Sequence, residues 1–397
     1  MIRLLLISGY VVRAAVQALL LLAFARAGGA AAAGEFALAF AVSTPVVITA
    51  ELALRNVYQT LHNPPAFRLF FLIRAGLVTT AILILAIVAA TGWLEVRPSV
   101  LLPLLMLKYV DSLLDICFGK LQSLGLVRAT GRLLWLNAAL SLVAIGVPVG
   151  LGLQPEWAVV GSAAGSLAVL AIVAPRLLTD QTERWAPLPG DLSRILRAGL
   201  TLGTAQTLMA LVSFLPAYYL ATAAGKAELG VFAAAQYAVT LAGLIFAAAM
   251  QSWLADARKE LATHGSEALR RHTRLVGQYL VGAGLVGGGI TVAALPILLP
   301  AVFGGQFEID RFTAIPFALA VVLVSCESAL TLPLLVLNRY ASRVATAVAG
   351  LVAATIFGLA TISQASVLFA GWLMVIGLTT RATTSFVAYQ RTHDLPS

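Results

Sequence analysis

Charge is scarce in this sequence. Of 397 residues only 11% are Asp, Glu, Lys or Arg, while 60% are hydrophobic, and mean hydropathy is +0.95. Soluble globular domains carry about 25% charged residues, so a water-facing surface cannot be assembled from so few. Cysteine is almost absent: Cys117 and Cys326 each lie inside an apolar run, which excludes a disulfide framework and a thiolate metal knuckle. The four histidines fall at 62, 264, 272 and 393, none at metal-ligand spacing from another ligand. There is no Gly-x4-Gly-Lys-Ser/Thr loop, no nucleophile elbow and no zinc-type spacing. The linkers that could hold extracytoplasmic chemistry, such as 92–99 and 304–311, are short. These absences argue against an enzyme and against a cofactor.

What the chain does have is a succession of apolar runs of about 20 residues, the length that crosses a hydrocarbon core of about 30 Å as a helix. The runs are continuous and not alternating, so helices are expected and a β-barrel is not. Twelve spans are read, at about 4–25, 36–57, 69–92, 100–120, 133–153, 157–178, 196–220, 229–253, 275–299, 312–337, 344–362 and 366–388, with ends good to about 2–4 residues. The first resembles a signal peptide in its Leu-rich stretch, but its length and Arg13 favour an uncleaved helix.

The formal charge of +9 comes from 26 basic and 17 acidic residues. The basic ones gather in alternate linkers: Arg68 and Arg74, then Lys120, Arg128 and Arg132, continuing to Arg339 and Arg343. The opposite linkers hold only Arg26, Arg97, Lys226 and Arg311. This is the positive-inside distribution, so both termini are expected on the cytoplasmic side and no nucleic acid is implied. The segment 254–274 is expected to form a charged surface helix.

The two halves repeat. Gly29 to Phe36 aligns with Gly225 to Phe232 at an offset of 196, and Asp111-Ser-Leu-Leu with Glu327-Ser-Ala-Leu at an offset of 216. The expected fold is therefore an all-α integral membrane protein of two parallel-repeat lobes of six helices. Residues 1–180 form the first lobe, 181–195 a cytoplasmic linker and 196–390 the second lobe. Internal repeats of this kind mark transporters, with a substrate site expected between the halves near the midplane.

Charged side chains inside the bilayer cost about 2.5–3.5 kcal/mol each on insertion scales and tend to face a cavity or one another. Arg13 lies in the first span. Glu51 and Arg55 are four apart in the second, and Lys108, Asp111 and Asp115 share one face of the fourth. Glu327 stands alone in the tenth. Glu51 with Arg55, and Lys108 with Asp111, could be self-satisfied intrahelical pairs; Arg13 needs a partner elsewhere or a hydrated cavity. Asp111 and Glu327 occupy equivalent repeat positions, which points to a shared role in coupling or charge pairing. Gln206 with Ser213, Tyr218 and Tyr219, and Gln236 with Tyr237, offer hydrogen-bonding and stacking groups. Pro45, Pro216 and Pro333 are candidate kinks, and the Gly284-to-Gly288 spacing suits close helix packing.

The stretch Ala25 to Ala39, with its short linker and then Gly34 and Phe36 opening a helix, resembles the first-linker signature of polysaccharide-type flippases. Glu51-Leu-Ala-Leu-Arg55 and Leu121-Gln-Ser-Leu-Gly125 resemble the ends of two helices of that group. These flippases belong to the multidrug, oligosaccharidyl-lipid and polysaccharide exporter superfamily. A glycine is common in that family where Ala53 stands, and polar residues where Ala31 to Ala33 stand. The resemblance implies translocation of a polyprenyl-pyrophosphate-linked oligosaccharide to the periplasmic side of a bacterial inner membrane. It also implies partners among membrane lipids and glycan-assembly proteins, and proton or sodium coupling. An anionic pyrophosphate needs cations, for which Arg13, Arg55 and Lys108 are available, Arg13 foremost, with Gln206 and Gln236 toward the sugar. Glu51, Asp111, Asp115 and Glu327 would hold those cations or carry coupling ions. The alternatives are a drug or cation antiporter of the same superfamily and a non-transporting subunit of an envelope glycan complex.

Overall fold

A computed structural model describes residues 2–61, 64–179, 190–337 and 340–390. Among them the chain is helical, apart from short linkers. The helices are α1 (Ile2–Glu51), α2 (Leu54–Thr60), α3 (Phe67–Ala90), α4 (Pro98–Ser123), α5 (Val127–Gly150) and α6 (Glu156–Leu178). They continue as α7 (Asp191–Ala223), α8 (Lys226–Phe303), α9 (Arg311–Val336), α10 (Tyr340–Ala360) and α11 (Val367–Gln390). Ten stretches among the described residues are long and apolar enough to cross a membrane. The first of these is two spans, because α1 leaves helical geometry at Gly28 and Gly29. Helix α4 is long enough at 26 residues but carries Lys108, Asp111, Asp115 and Lys120 along its length. Dividing the first stretch and adding α4 recovers the twelve spans read from the sequence.

The chain forms two compact units. The first comprises residues 1–27 and 35–210, and the second 28–34 and 211–397. The division thus falls inside α7, at Ala210 and Leu211, and not between residues 180 and 196. The expected linker at 181–195 lies largely outside the described residues. The segment 254–274 is helical as expected, but it is no separate element. It continues α8, which turns only at Gly265 (φ 77°), so the two spans flanking it run into it without a linker.

The repeat seen in the sequence has a structural counterpart. Gly29 and Gly225, 196 residues apart, both have positive φ, at 68° and 88°. In L-residues that region is sterically disfavoured, so glycine ends one helix and begins the next at the same point of each repeat. One turn later Gly34 and Gly230 cross. A side chain on Gly34 would collide with the carbonyl of Lys226, and one on Gly230 with the carbonyl of Ala30. Residues 30 and 226, like 34 and 230, are equivalent in the repeat, so the contact is reciprocal, and all four belong to the second unit. The Ala30 amide adds a hydrogen bond, donating to Gln306 Oε1 at 3.1 Å.

Elsewhere in the second unit, Gly284 and Gly288 of α8 pack directly on Ser325 and Ala318 of α9, as their spacing suggested. Pro45, Pro216 and Pro333 each lie inside a helix, and the helical backbone continues past each of them. Helix α9 starts with a side-chain cap: Asp310 Oδ1 accepts from the Thr313 amide at 2.8 Å. The hydrogen bonds from Thr313 hold that exposed carboxyl below its usual range.

Because the crossing leaves no room for a methyl group, Gly34→Ala and Gly230→Ala are each expected to destabilise the protein by about 1–3 kcal/mol. Gly146→Ala, where nothing lies within 4 Å of the added methyl, is the control and should be neutral or slightly stabilising. Thermal unfolding in detergent checks this; equal behaviour of all three variants would contradict the packing.

Candidate functional site

The polar interior of the first unit is organised by a guanidinium that the sequence reading placed in a cytoplasmic linker. Arg74 lies inside α3 and is 1% exposed. Its Nη2 pairs with Glu51 Oε1 at 2.7 Å and with Asp115 Oδ2 at 3.1 Å, and its Nε donates to Ser112 Oγ at 2.9 Å. Breaking a buried pair by removing one partner costs about 3–5 kcal/mol, so these contacts set where α1, α3 and α4 can lie. Lys120, also assigned to a linker, is likewise buried within α4 and donates to the Tyr58 hydroxyl at 2.9 Å. Both corrections have one cause: each residue lies inside its helix near the end, where polar partners on neighbouring elements turn its side chain inward instead of toward water.

The intrahelical pairs do not form. Arg55 instead gives Nη1 to Asp115 Oδ1 at 2.6 Å and Nη2 to Tyr10 Oη at 2.8 Å and Gln122 Oε1 at 2.9 Å. The reason is the backbone between Glu51 and Arg55. Leu52 and Ala53 both adopt left-handed conformations, with φ of 47° and 49°, and end α1 before α2 begins. A four-residue spacing brings side chains together only on an unbroken helix. Here the break turns Glu51 toward Arg74 and Arg55 toward Asp115. Gly199 and Gly203 of α7 pack closely on Leu52, and Gly119 leaves space beside Arg55, where a methyl would sit 2.7 Å from Cγ. The residue at which the flippase group commonly has glycine, Ala53, is thus one of the two strained positions.

Arg13 finds its partner on α4, pairing with Asp111 Oδ2 at 3.1 Å. Asp111 Oδ1 accepts from Ser166 Oγ at 2.9 Å, and Ser166 also reaches Asn137 Oδ1 at 3.1 Å. A small cavity of about 20 Å³, enough for a single water, is lined by these groups together with Gln17 and Ser162. Asn137 and Ser141 on α5, and Ser162 and Ser166 on α6, were not picked out from the sequence. Each pair has the four-residue spacing that places polar groups on one helix face, and that was the available signal.

Lys108 differs from the three arginines. It donates from Nζ to Thr44 Oγ1 at 2.6 Å, and Nζ stands 3.7 Å from the centroid of the Phe40 ring. Among the described residues it makes no ion pair. Apart from Arg74, the network is partly open: side-chain exposure is 21% for Arg13, 17% for Arg55 and 28% for Asp115. Four cations, Arg13, Arg55, Arg74 and Lys108, therefore stand with three carboxylates, Glu51, Asp111 and Asp115.

The second unit holds a single pair of this kind among the described residues. Glu327 of α9 is not alone: Arg381 of α11, 4% exposed, pairs with it through Nη2. Gly350 makes room for that side chain, since a methyl there would lie 2.9 Å from Arg381 Cδ. Asp111 and Glu327, equivalent in the repeat, are thus each neutralised by an arginine from another helix of their own unit. Among the described residues, the remaining candidates make no bond to the residues of the network. Gln206 is half-buried on α7 and makes no hydrogen bond among the described residues. Gln236, in the second unit, donates to the Ser213 carbonyl at 3.2 Å. Tyr219 is buried and donates its hydroxyl to the Thr361 carbonyl at 2.8 Å.

No family model and no curated protein matches this chain. Solved structures do match. A transporter of the MOP superfamily from Pyrococcus furiosus aligns over 98% of this chain and 95% of its own, with 13% identity and a TM-score of 0.72. A mutant of the Vibrio cholerae MATE transporter VcmN aligns over 98% and 95%, with 15% identity and a TM-score of 0.69. An outward-facing MATE-family transporter of the MOP superfamily aligns over 98% and 94%, with 15% identity and a TM-score of 0.68. The chain has the fold of these transporters.

Two stability measurements follow from the site. Arg74→Met, which strands Glu51 and one oxygen of Asp115, should cost about 3–5 kcal/mol of unfolding free energy, and a loss under 1 kcal/mol would refute the pairing. Ala53→Gly should do the opposite. Relief of a left-handed alanine is worth about 1–2 kcal/mol, offset by about 0.5–1 kcal/mol of glycine chain entropy, so its melting temperature should rise. Ala86→Gly, inside α3, should lower it.

Proposed function

We propose that this chain is a flippase of the bacterial inner membrane that carries a polyprenyl-pyrophosphate-linked oligosaccharide from the cytoplasmic to the periplasmic leaflet by alternating access. The observation that carries this reading is the sign of the first unit's polar interior: four cations stand with three carboxylates, and the surrounding side chains are partly open. A net positive, partly desolvated surface attracts an anion and repels a cation, and the low local dielectric enlarges both effects. The second unit's pair of Glu327 and Arg381 is neutral as it stands, so it does not reverse the balance.

The fold supports a transporter and leaves the substrate to the chemistry of the site. Solved relatives include outward-facing and inward-facing forms, which is the repertoire alternating access needs. One of them, the transporter from Pyrococcus furiosus, is described by a reversed polarity of its binding pocket that suggests a different function. Within this fold, then, pocket sign is a discriminating property. The pyrophosphate is assigned to the cationic face that Arg13, Arg55 and Lys108 create together, and the sugar to the amide of Gln206 in the same unit. Glu51, Asp111 and Asp115 hold the arginines of the first unit and Glu327 holds Arg381, with protons or sodium as the coupling ion.

A drug or cation antiporter is the second reading, favoured by the MATE proteins among the structural neighbours. It requires a carboxylate available to a cationic substrate, whereas Glu51, Asp111, Asp115 and Glu327 are each engaged by an arginine.

The test is reconstitution in proteoliposomes. A fluorescent polyprenyl-pyrophosphate sugar should cross the bilayer at a rate well above that of empty vesicles, while efflux of cationic dyes should stay at background. Dye efflux driven by a proton or sodium gradient, with no sugar-lipid movement, would establish the antiporter instead.

A further inference from the structure

The cations of the first unit are not equivalent toward an incoming anion. We infer that Lys108 is the group that takes the phosphate oxygens of the substrate, and that Arg13, Arg55 and Arg74 form the fixed frame around it; this rests on the flippase reading. Each guanidinium is already committed. Arg13 is held by Asp111, Arg55 by Asp115, Tyr10 and Gln122, and Arg74 by Glu51, Asp115 and Ser112. An incoming anion can recruit one of them only by displacing a carboxylate at about 3 Å or less, leaving that carboxylate unpaired in a desolvated place.

Lys108 carries no such penalty. An ammonium has three donors and no acceptor. One is spent on Thr44 Oγ1, and the ring face of Phe40 stands opposite the charge. The Thr44 hydroxyl donates its own proton to the Phe40 carbonyl at 2.6 Å, so its oxygen is free to accept from Lys108. A hydroxyl and an aromatic face hold a cation weakly compared with a carboxylate. They keep the ammonium ordered while the site is empty and yield it when a phosphate arrives. Asp111, one turn further along α4, makes its short contacts with Arg13 and Ser166. Phe40, Thr44 and Lys108 are all partly open, in a stretch where most neighbouring residues of α1 and α4 are buried. Within this set of four cations and three carboxylates, the excess positive charge thus lies on Lys108, whose direct partners are a hydroxyl and a ring.

The experiment combines binding with chemical footprinting on the full-length protein in detergent. The probe is a polyprenyl-pyrophosphate sugar, with inorganic pyrophosphate as competitor. Lys108→Met should weaken binding by tenfold or more and flatten its salt dependence, while Lys108→Arg, which restores a cation, should remain within about threefold of wild type. Footprinting uses unmodified protein and does not depend on a variant folding. Acetylation of Lys108 by an amine-reactive reagent should fall about fivefold or more when the sugar lipid is bound, with Lys226 as the internal reference. Undiminished labelling of Lys108 in protein that demonstrably binds the lipid would overturn the assignment, as would wild-type affinity in Lys108→Met. Failure of wild-type protein to bind any pyrophosphate lipid would instead overturn the flippase reading itself.

Discussion

A guanidinium enclosed by helices in an apolar layer must be neutralised by its immediate neighbours, and in the first unit Arg74 imposes that demand. It draws Glu51 from α1 and Asp115 from α4. The other oxygen of Asp115 is then available to Arg55, which spans to Tyr10 and Gln122. Asp111, the remaining carboxylate, goes to Arg13. After these commitments Lys108 is left with a hydroxyl and a ring. The partition follows from the order in which desolvated charges have to be satisfied: the most buried cation takes two carboxylates, the partly open arginines take the rest, and the most weakly held charge is the one free to meet a ligand.

Local backbone geometry makes this partition available. On a continuous helix Glu51 and Arg55 would face each other and cancel. The left-handed residues Leu52 and Ala53 separate them and redirect each toward a different helix, with Gly199 and Gly203 admitting the bent segment close to α7. Strain at a polar site is thereby converted into an arrangement of charge. The second unit is simpler. Glu327 and Arg381 make one neutral pair where the first unit has a network, so two halves that share a repeat have diverged in their polar interiors while keeping the reciprocal crossing of Gly34 and Gly230.

Much of the architecture could be read from hydropathy, because the hydrocarbon layer demands continuous apolar helices and little else satisfies it. The repeat was legible in Gly29 and Gly225, and so was the equivalence of Asp111 and Glu327, each of which pairs with an arginine. Pairing was less legible. Spacing of three or four along α4 identified Lys108, Asp111 and Asp115 as one face, yet it also suggested partners within the helix that the tertiary contacts replaced. Arg74 was grouped with Arg68 because both lie near the start of a span, where snorkelling to water is the ordinary outcome. Only the positions of Glu51 and Asp115 reveal that it turns inward. Arg381 stands inside the last apolar run, which was a signal in itself, but its partner lies 54 residues away on another helix and no spacing pointed to it.

The central claim is that the sign of the first unit's polar interior selects the substrate. The most direct measurement compares binding and translocation of one oligosaccharide presented on two polyprenyl lipids, one linked through pyrophosphate and one through a neutral glycosidic bond. The account predicts that the pyrophosphate form binds and crosses the bilayer, with affinity falling as salt rises, and that the neutral form does neither. Equal handling of the two lipids, or preference for the neutral one, would contradict it.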